Sequence, residues 1–445
     1  MSVTFMDGVL SSIADRGRAL LDLDRKPRAQ KPTPSELADA LLSSRGEASG
    51  VALASELLRA FESMDEGGKL SFLKMLVSDF GAELEMVDDA IADYREDRNS
   101  ATALRLHTAA EPRRQEIIRR LNLAPGGTRA LVAMRAFLLE KLERHPDLKP
   151  LDDDFHHLLS SWFNRGFLVM RRIDWNTPAS ILEKIIRYEA VHAIDDWADL
   201  RRRIDPPDRR CFGFFHPALV DEPLIFVEVA LTRGMPDAIA PIIEREREPL
   251  SADEADTAVF YSISNCQVGL RGVSFGNFLI KQVVEDLRRD LPRLKTFVTL
   301  SPAPGFVRWL SAAAEKADGL NERERTLVGA LSTGQWLSDD DRAEAARNSL
   351  MPLAAHYFLK AKSRGNPVDP VARFHLGNGA RLERINWMGD VSDKGMRQGA
   401  GVMVNYLYAL ADIEQNHEAY AVRQQVVASN AVAKLLDARS TRTQK

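Results

Sequence analysis

The chain has 445 residues and a mass of 49.7 kDa, which at roughly 150 residues per domain allows two or three domains and excludes a small scaffold held by disulfides or metal. With 45% hydrophobic and 28% charged residues it has the composition of an ordinary globular protein. Sixty Lys and Arg against 64 Asp and Glu leave a net charge of -4, so no basic excess points to nucleic acid or an anionic membrane, and any anionic ligand must be held by a local site.

To about residue 204, apolar residues recur at spacings of three and four, as in ELADALL, LSFLKMLVSDF and AFLLEKLERHP, so this half reads as all-helical, a bundle of antiparallel helices. Thr33-Pro34-Ser35-Glu36 is a start signal: Thr33 caps, Pro34 suits the first helical position and Glu36 completes a capping box. Thr177-Pro178 repeats the cap-and-proline device ahead of ILEKIIRYEAVH. Asp152-Asp153-Asp154 reads as decoration of a helix N-terminus, and His156-His157 lacks the carboxylate pattern of a zinc site. The runs Arg201-Arg202-Arg203 and Arg209-Arg210 read as solvated faces.

After Pro206-Pro207 the pattern changes. CFGFFHP (211–217) and PLIFVEVAL (223–231) read as two strands, TAVFYSISNCQ (257–267) as a third, FGNFLIKQVVEDLRRDLP as an amphipathic helix and KTFVTLSP (295–302) as a fourth strand. A strand, a helix and a strand of these lengths imply a right-handed crossover within one sheet. Helical sequence returns from Phe306 to about Ser363. VARFHLGNGARLERINW (371–387) alternates about Asn378-Gly379 and predicts a hairpin, with His375 on its first arm. From about Gly395 the chain reads as helical again.

Only Cys211 and Cys266 are present, too few for a disulfide framework and not spaced as a zinc cluster, which fits a reducing cytoplasm. No apolar run is long enough to span a bilayer, and the first residues lack the basic head and apolar core of a secretory signal. A cytoplasmic location without membrane contact is therefore expected.

Between the third strand and the helix lies a turn with glycines at 269, 272 and 276. Glycines let backbone approach a ligand closely, and the following helix offers unpaired N–H groups, a geometry suited to pyrophosphate. No Gly-Lys-Ser/Thr follows and the spacing is not G-x-G-x-x-G, so on spacing alone the glycines need only build a tight turn. The order of elements, two antiparallel strands followed by strand, Gly-rich turn, helix and strand, resembles the GNAT superfamily of acyl-CoA-dependent acyltransferases. In that superfamily this turn grips the pyrophosphate of coenzyme A. Gln267 and Arg271 match its opening residues, although the glycines fall at other offsets.

Three blocks, YSISNCQVGLRGVSFGNFLIKQVV (261–284), TLSPAPGFVRWL (299–310) and DPVARFHLGNGARLERINWMGDVSDKGM (369–396), resemble the malonyl-CoA decarboxylase family. CFGFFHP with EPLIFVEVALT (211–232) adds a fourth, and together they cover most of residues 205–410. The resemblance implies an α+β chain: an all-α N-terminal oligomerisation bundle (1–160), then a GNAT-like α/β catalytic domain with a mixed sheet (161–445), the part to about 204 a helical connection. The implied reaction turns malonyl-CoA into acetyl-CoA and CO2, with no metal and no cofactor beyond the coenzyme A of the substrate. It also implies self-association, a homotetramer. By motif match the catalytic residues are Ser301 and His375. The malonyl-CoA-binding turn is Arg271, Gly272, Val273, Ser274, Phe275, Gly276 and Asn277, and Tyr408, on a helix after the INWM block, lies near the thioester. The family carries a glutamate where this chain has Ser274, which argues against a carboxylate being required there.

Loss of CO2 leaves an enolate, so the chemistry asks for a donor at the thioester oxygen and a proton for carbon. His375 suits either task. Ser301, at the end of a strand before Pro302 and Pro304, is outside any G-x-S-x-G elbow. It suits a hydrogen bond that turns the malonyl carboxylate perpendicular to the thioester plane, with direct proton transfer as the alternative. The rival activities are an acyl-CoA-dependent N-acyltransferase, which would need an amine and release free coenzyme A, and a coenzyme A sensor, which would leave malonyl-CoA intact.

Overall fold

The computed structural model describes residues 8–9, 11–16, 32–43, 46–273, 279–316, 320–363 and 365–443. These fall into two compact units. The first draws on Met1–Val169, Phe214–Leu224 and Cys266–Phe275, and the second on Met170–Gly213, Ile225–Asn265 and Gly276–Lys445.

The first unit is a helical assembly that includes Pro34–Leu42, Glu47–Ser63, Glu66–Asp79, Arg113–Leu121, Gly127–Lys141 and Lys149–Trp162. Thr33 accepts from the Glu36 N–H while the Glu36 carboxylate accepts from the Thr33 N–H, forming the expected capping box with Pro34 at the first position. Leu41, Leu57, Phe72, Leu76, Ile117 and Leu138 are buried. Each such side chain contributes about 2 kcal/mol of apolar transfer. Asp152 lies in the first turn of helix Lys149–Trp162, as expected, but neither it nor Asp154 is a solvated decoration. Both are buried, Asp152 against Arg135 Nε (3.0 Å) and Asp154 against Arg114 Nε (2.5 Å), because a carboxylate facing inward must meet a cation.

The second unit is built on a mixed sheet. The strands are β1 (Val169–Ile173), β2 (Arg209–Phe215), β3 (Pro223–Thr232), β4 (Thr257–Asn265), β5 (Thr296–Thr299), β6 (Ser301–Pro302), the short pair β7 (Lys362–Ser363) and β8 (Asn366–Pro367), β9 (Arg381–Asn386) and β10 (Met403–Leu407). The sheet order is β1-β2-β3-β4-β5-β10-β6, with β9 beside β10. β3 runs antiparallel to β4, and β4 parallel to β5, the mixed sense expected of the GNAT-like half. The described part of the crossover is helix Leu279–Asp290, which buries Ile280, Val283, Val284 and Leu287. Val259, Val298, Leu300 and Met403 form a core across the sheet.

Four local expectations are corrected. Residues 169–173 form a strand within the stretch expected to be all-helical. Thr177 does not cap the next helix. Its Oγ1 accepts from the Asp174 N–H and Pro178 occupies the cap position. Arg203 and Arg209 are buried rather than solvated: Arg203 donates to the carbonyls of His192 and Ala193 and stands 3.5 Å from Glu228, and Arg209 donates to the Ile242 carbonyl. The region after Gly395 is not wholly helical, since Met403–Leu407 is a strand inside the sheet.

The largest correction concerns 371–387. Residues Pro370–Gly377 form a helix, not a hairpin arm, and only Arg381–Asn386 is a strand. Asp369 accepts from the N–H groups of Val371 and Ala372, and Pro370 sits at the first helical position, a start signal that outweighs a short alternation. Asn378-Gly379 then ends a helix. The Gly379 N–H donates to the Leu376 carbonyl, with Gly379 at φ +79°, the left-handed geometry of a C-terminal cap.

Candidate active site

Ser301 is in the two-residue strand β6, which pairs with β10 at Val404. β5 ends two residues earlier, and its Thr299 carbonyl accepts from Asn405 Nδ2 (2.7 Å), which ties the strand end to β10. His375 arrives from the last turn of helix Pro370–Gly377, whose capping residue Asp369 is itself buried and accepts from Tyr357 Oη (3.0 Å). Burial holds the Asp369 carboxyl above the usual carboxylate range. Tyr408 follows β10 directly, its N–H donating to the Phe297 carbonyl (2.8 Å). It is therefore at a strand end rather than on the expected helix.

Ser301, His375 and Tyr408 meet. Ser301 Oγ is 3.1 Å from His375 Nε2, and His375 Nδ1 is 2.8 Å from Tyr408 Oη. All three are buried. The His375 ring stacks on Tyr406, with centroids 4.7 Å apart and planes 25° from parallel. Desolvation pushes the imidazole down to about 3 and the Tyr408 phenol well up, so both are neutral near pH 7.

Ser301 and His375 line a cavity of about 240 Å³ whose other walls include Val191, Phe260, Ile263, Pro302 and Phe374. None of the described lining residues carries a formal charge, and Asn265 adds a polar group. An anion placed here would be oriented by hydrogen bonds without a cationic partner.

Of the expected binding turn, Arg271, Gly272 and Val273 are described, whereas Ser274, Phe275, Gly276 and Asn277 lie outside the described residues. The described part belongs to the first unit. Arg135 Nη1 donates to the carbonyls of Gly269 (2.8 Å) and Arg271 (3.0 Å), and His156 Nε2 is 3.1 Å from the Gly272 carbonyl oxygen. At Gly269 an added Cβ would fall 1.9 Å from the Val132 carbonyl oxygen, so only glycine fits.

Sequence reasoning missed Thr299, whose Oγ1 accepts from Ser301 Oγ (2.9 Å). Its signal was available: residues two apart on extended chain share a face. Phe260, Ile263 and Val191 gave no such signal, because apolar wall residues are indistinguishable from core in a sequence. Among the described residues no group of three or more His, Cys, Asp or Glu could hold a metal ion.

The family model described as the malonyl-CoA decarboxylase C-terminal domain matches residues 166–445, and that of the malonyl-CoA decarboxylase N-terminal domain matches residues 80–163. The mitochondrial malonyl-CoA decarboxylase of Anser anser anser is 38% identical over 413 residues, covering 85% of this chain and 82% of the relative. That of Mus musculus is 36% identical over 403 residues, covering 83% and 82%. Among solved structures, malonyl-CoA decarboxylase from Rhodopseudomonas palustris superposes with a TM-score of 0.88 at 59% identity, over 91% of this chain and 100% of that one. The enzyme from Agrobacterium vitis gives 0.85 at 58%, over 91% and 99%. Matched along most of its length in both sequence and fold, the chain belongs to the malonyl-CoA decarboxylase family.

Proposed function

We propose that this chain decarboxylates malonyl-CoA to acetyl-CoA and CO2 in the cavity bounded by Ser301 and His375. The observation that carries the reading is the meeting of these two side chains, 74 positions apart, at 3.1 Å on the wall of an otherwise largely apolar cavity. Ser301 donates to the malonyl carboxylate and turns the breaking bond perpendicular to the thioester plane. The Cα–carboxylate bond then breaks, its electron pair forms the enolate, and neutral CO2 leaves. An uncharged wall suits this step, because a strong ion pair would stabilise the starting carboxylate more than the charge-dispersed transition state. His375 then protonates Cα. Although neutral, its N–H is sufficient, since a thioester enolate is a far stronger base than an imidazolate. The overall reaction takes up one proton from solvent.

Ser301→Ala and His375→Ala are each expected to lower kcat by roughly 100-fold or more, while near-UV circular dichroism is unchanged. The assay follows acetyl-CoA by mass spectrometry, with chelator present and no amine. Near-wild-type turnover in both variants would remove the proposed site, and amine-dependent release of free coenzyme A would favour an acyltransferase.

The same reading includes binding of the coenzyme by the turn from Arg271 to Asn277, the thioester near Tyr408, a cytoplasmic location and self-association as a tetramer. Cys211 and Cys266, buried and outside any disulfide, are compatible with a reducing compartment, and no helix among the described residues is long and apolar enough to cross a membrane. Self-association is supported by Leu84, Met86 and Leu104, exposed on helices Leu84–Glu96 and Ser100–Ala110 of the first unit. Light scattering that finds only monomer over a wide concentration range would remove it.

A further inference from the structure

We propose that Thr299 is a positioning residue for the reaction, its hydroxyl determining which ring nitrogen of His375 carries the proton. The inference rests on Ser301 and His375 being the reacting pair.

Thr299 is completely buried (0% exposed), and its Oγ1 accepts from two donors, the Tyr406 N–H (3.1 Å) and the Ser301 hydroxyl (2.9 Å). The Tyr406 amide occupies one acceptor site of Thr299 Oγ1, and the geometry of the Ser301–Thr299 contact makes the serine the donor to the other. In the free enzyme the single hydroxyl hydrogen of Ser301 goes to Thr299, and with substrate bound it turns to the malonyl carboxylate; in either state the serine oxygen can meet His375 Nε2 only as an acceptor. Nε2 must then carry N–H. A neutral imidazole has one N–H, so Nδ1 presents its lone pair and Tyr408 Oη, 2.8 Å away, donates to it. The hydrogen bonds therefore run in one direction, from Tyr408 to His375 to Ser301 to Thr299.

The direction matters because of the two nitrogens' surroundings. Nε2 contacts Ser301, and Ser301 and His375 both line the cavity, whereas Tyr408 does not. With the proton on Nε2, protonation of the enolate forms the new C–H bond with the enolate electron pair and breaks Nε2–H, while Nδ1 takes the Tyr408 proton and solvent returns one to the phenolate. The opposite tautomer would direct a lone pair at the developing carbanion and hold the only ring proton against Tyr408.

The test uses full-length protein labelled with [15N]histidine. Long-range proton–nitrogen correlation spectra distinguish the two neutral tautomers, and the His375→Gln variant assigns the resonance. The wild type is expected to be the Nε2–H tautomer. Thr299→Val, similar in shape but without the hydroxyl, frees Ser301 to donate to Nε2, so it is expected to shift the ring toward Nδ1–H and lower kcat on the order of tenfold with KM nearly unchanged. Thr299→Ser is expected to restore both. An Nδ1–H wild type overturns the proposal, as does a folded Thr299→Val that keeps the Nε2–H tautomer and wild-type kcat. Should that variant fail to fold because the Tyr406 N–H loses its acceptor, the wild-type spectrum decides. A wild type that leaves malonyl-CoA intact overturns the function and the catalytic role with it, while the spectrum still tests the tautomer separately.

Discussion

Replacing His375 by Gln is expected to change how the stability of the second unit depends on pH, by an amount that follows from the burial of the ring. The imidazole titrates at 6.5 in an exposed chain and at about 3 in the fold, lowered by desolvation. As pH falls, the unfolded chain takes up the proton first, so the contribution of His375 to stability is complete above about pH 6.5 and drains as pH falls toward 3. Between pH 6 and pH 4.5 the wild type should lose about 2 kcal/mol more than the variant. Hydrogen bonds lost to Ser301 and Tyr408 add a constant offset, and other titrating groups cancel in the comparison. Urea unfolding can be followed by tryptophan fluorescence, since every tryptophan except Trp162 belongs to the second unit. A wild-type-minus-variant gap that stays constant from pH 6 to pH 4.5 would refute the reasoning. It would mean that the folded ring accepts protons as readily as an exposed one.

Glu228 has the opposite sign. It is fully buried, and desolvation pushes its carboxyl up to about 8, so its contribution is complete below about pH 4.5 and lost as pH rises toward 8. Glu228→Gln should therefore gain thermal stability relative to wild type between pH 5.5 and pH 8, and a melting-temperature difference that does not move with pH would count against this. Gly379→Ala forces a left-handed φ of +79° on a side chain and sets its Cβ 2.3 Å from the Ile413 carbonyl oxygen. A loss of about 3 kcal/mol is expected, visible as a melting temperature several degrees lower, and an unchanged melt would contradict the cap assignment.

Much of this architecture was legible because its signals were local. The capping box at Thr33 and the strand, turn, helix and strand order after residue 257 follow from residues adjacent in sequence, and the observed elements begin and end near their expected limits. The errors arose where two local patterns competed. Val371, Arg373 and His375 alternate as in a strand, yet the Asp369 cap and Pro370 start a helix that buries Ala372, His375 and Leu376 on one face. Met403–Leu407 is short, and although β9 is close in sequence, its partners on the other side are more than 100 residues away in β5 and β6, which no window of local sequence contains. The same separation explains the site. Ser301 and His375 were identified as motif residues, but their contact, the uncharged wall and the acceptor role of Thr299 depend on long-range pairing of β10.

The support beneath the Gly-rich turn bears on where the chain can be divided. Val132, Arg135 and His156 hold backbone of residues 269–272, yet all three precede residue 166, where the match to the C-terminal family model begins. A fragment cut at that boundary would retain Ser301, His375 and Tyr408 while leaving the Gly269 and Arg271 carbonyls without their guanidinium donor. A shortened catalytic fragment would have to begin upstream of Gly127, where the helix carrying Val132 and Arg135 starts.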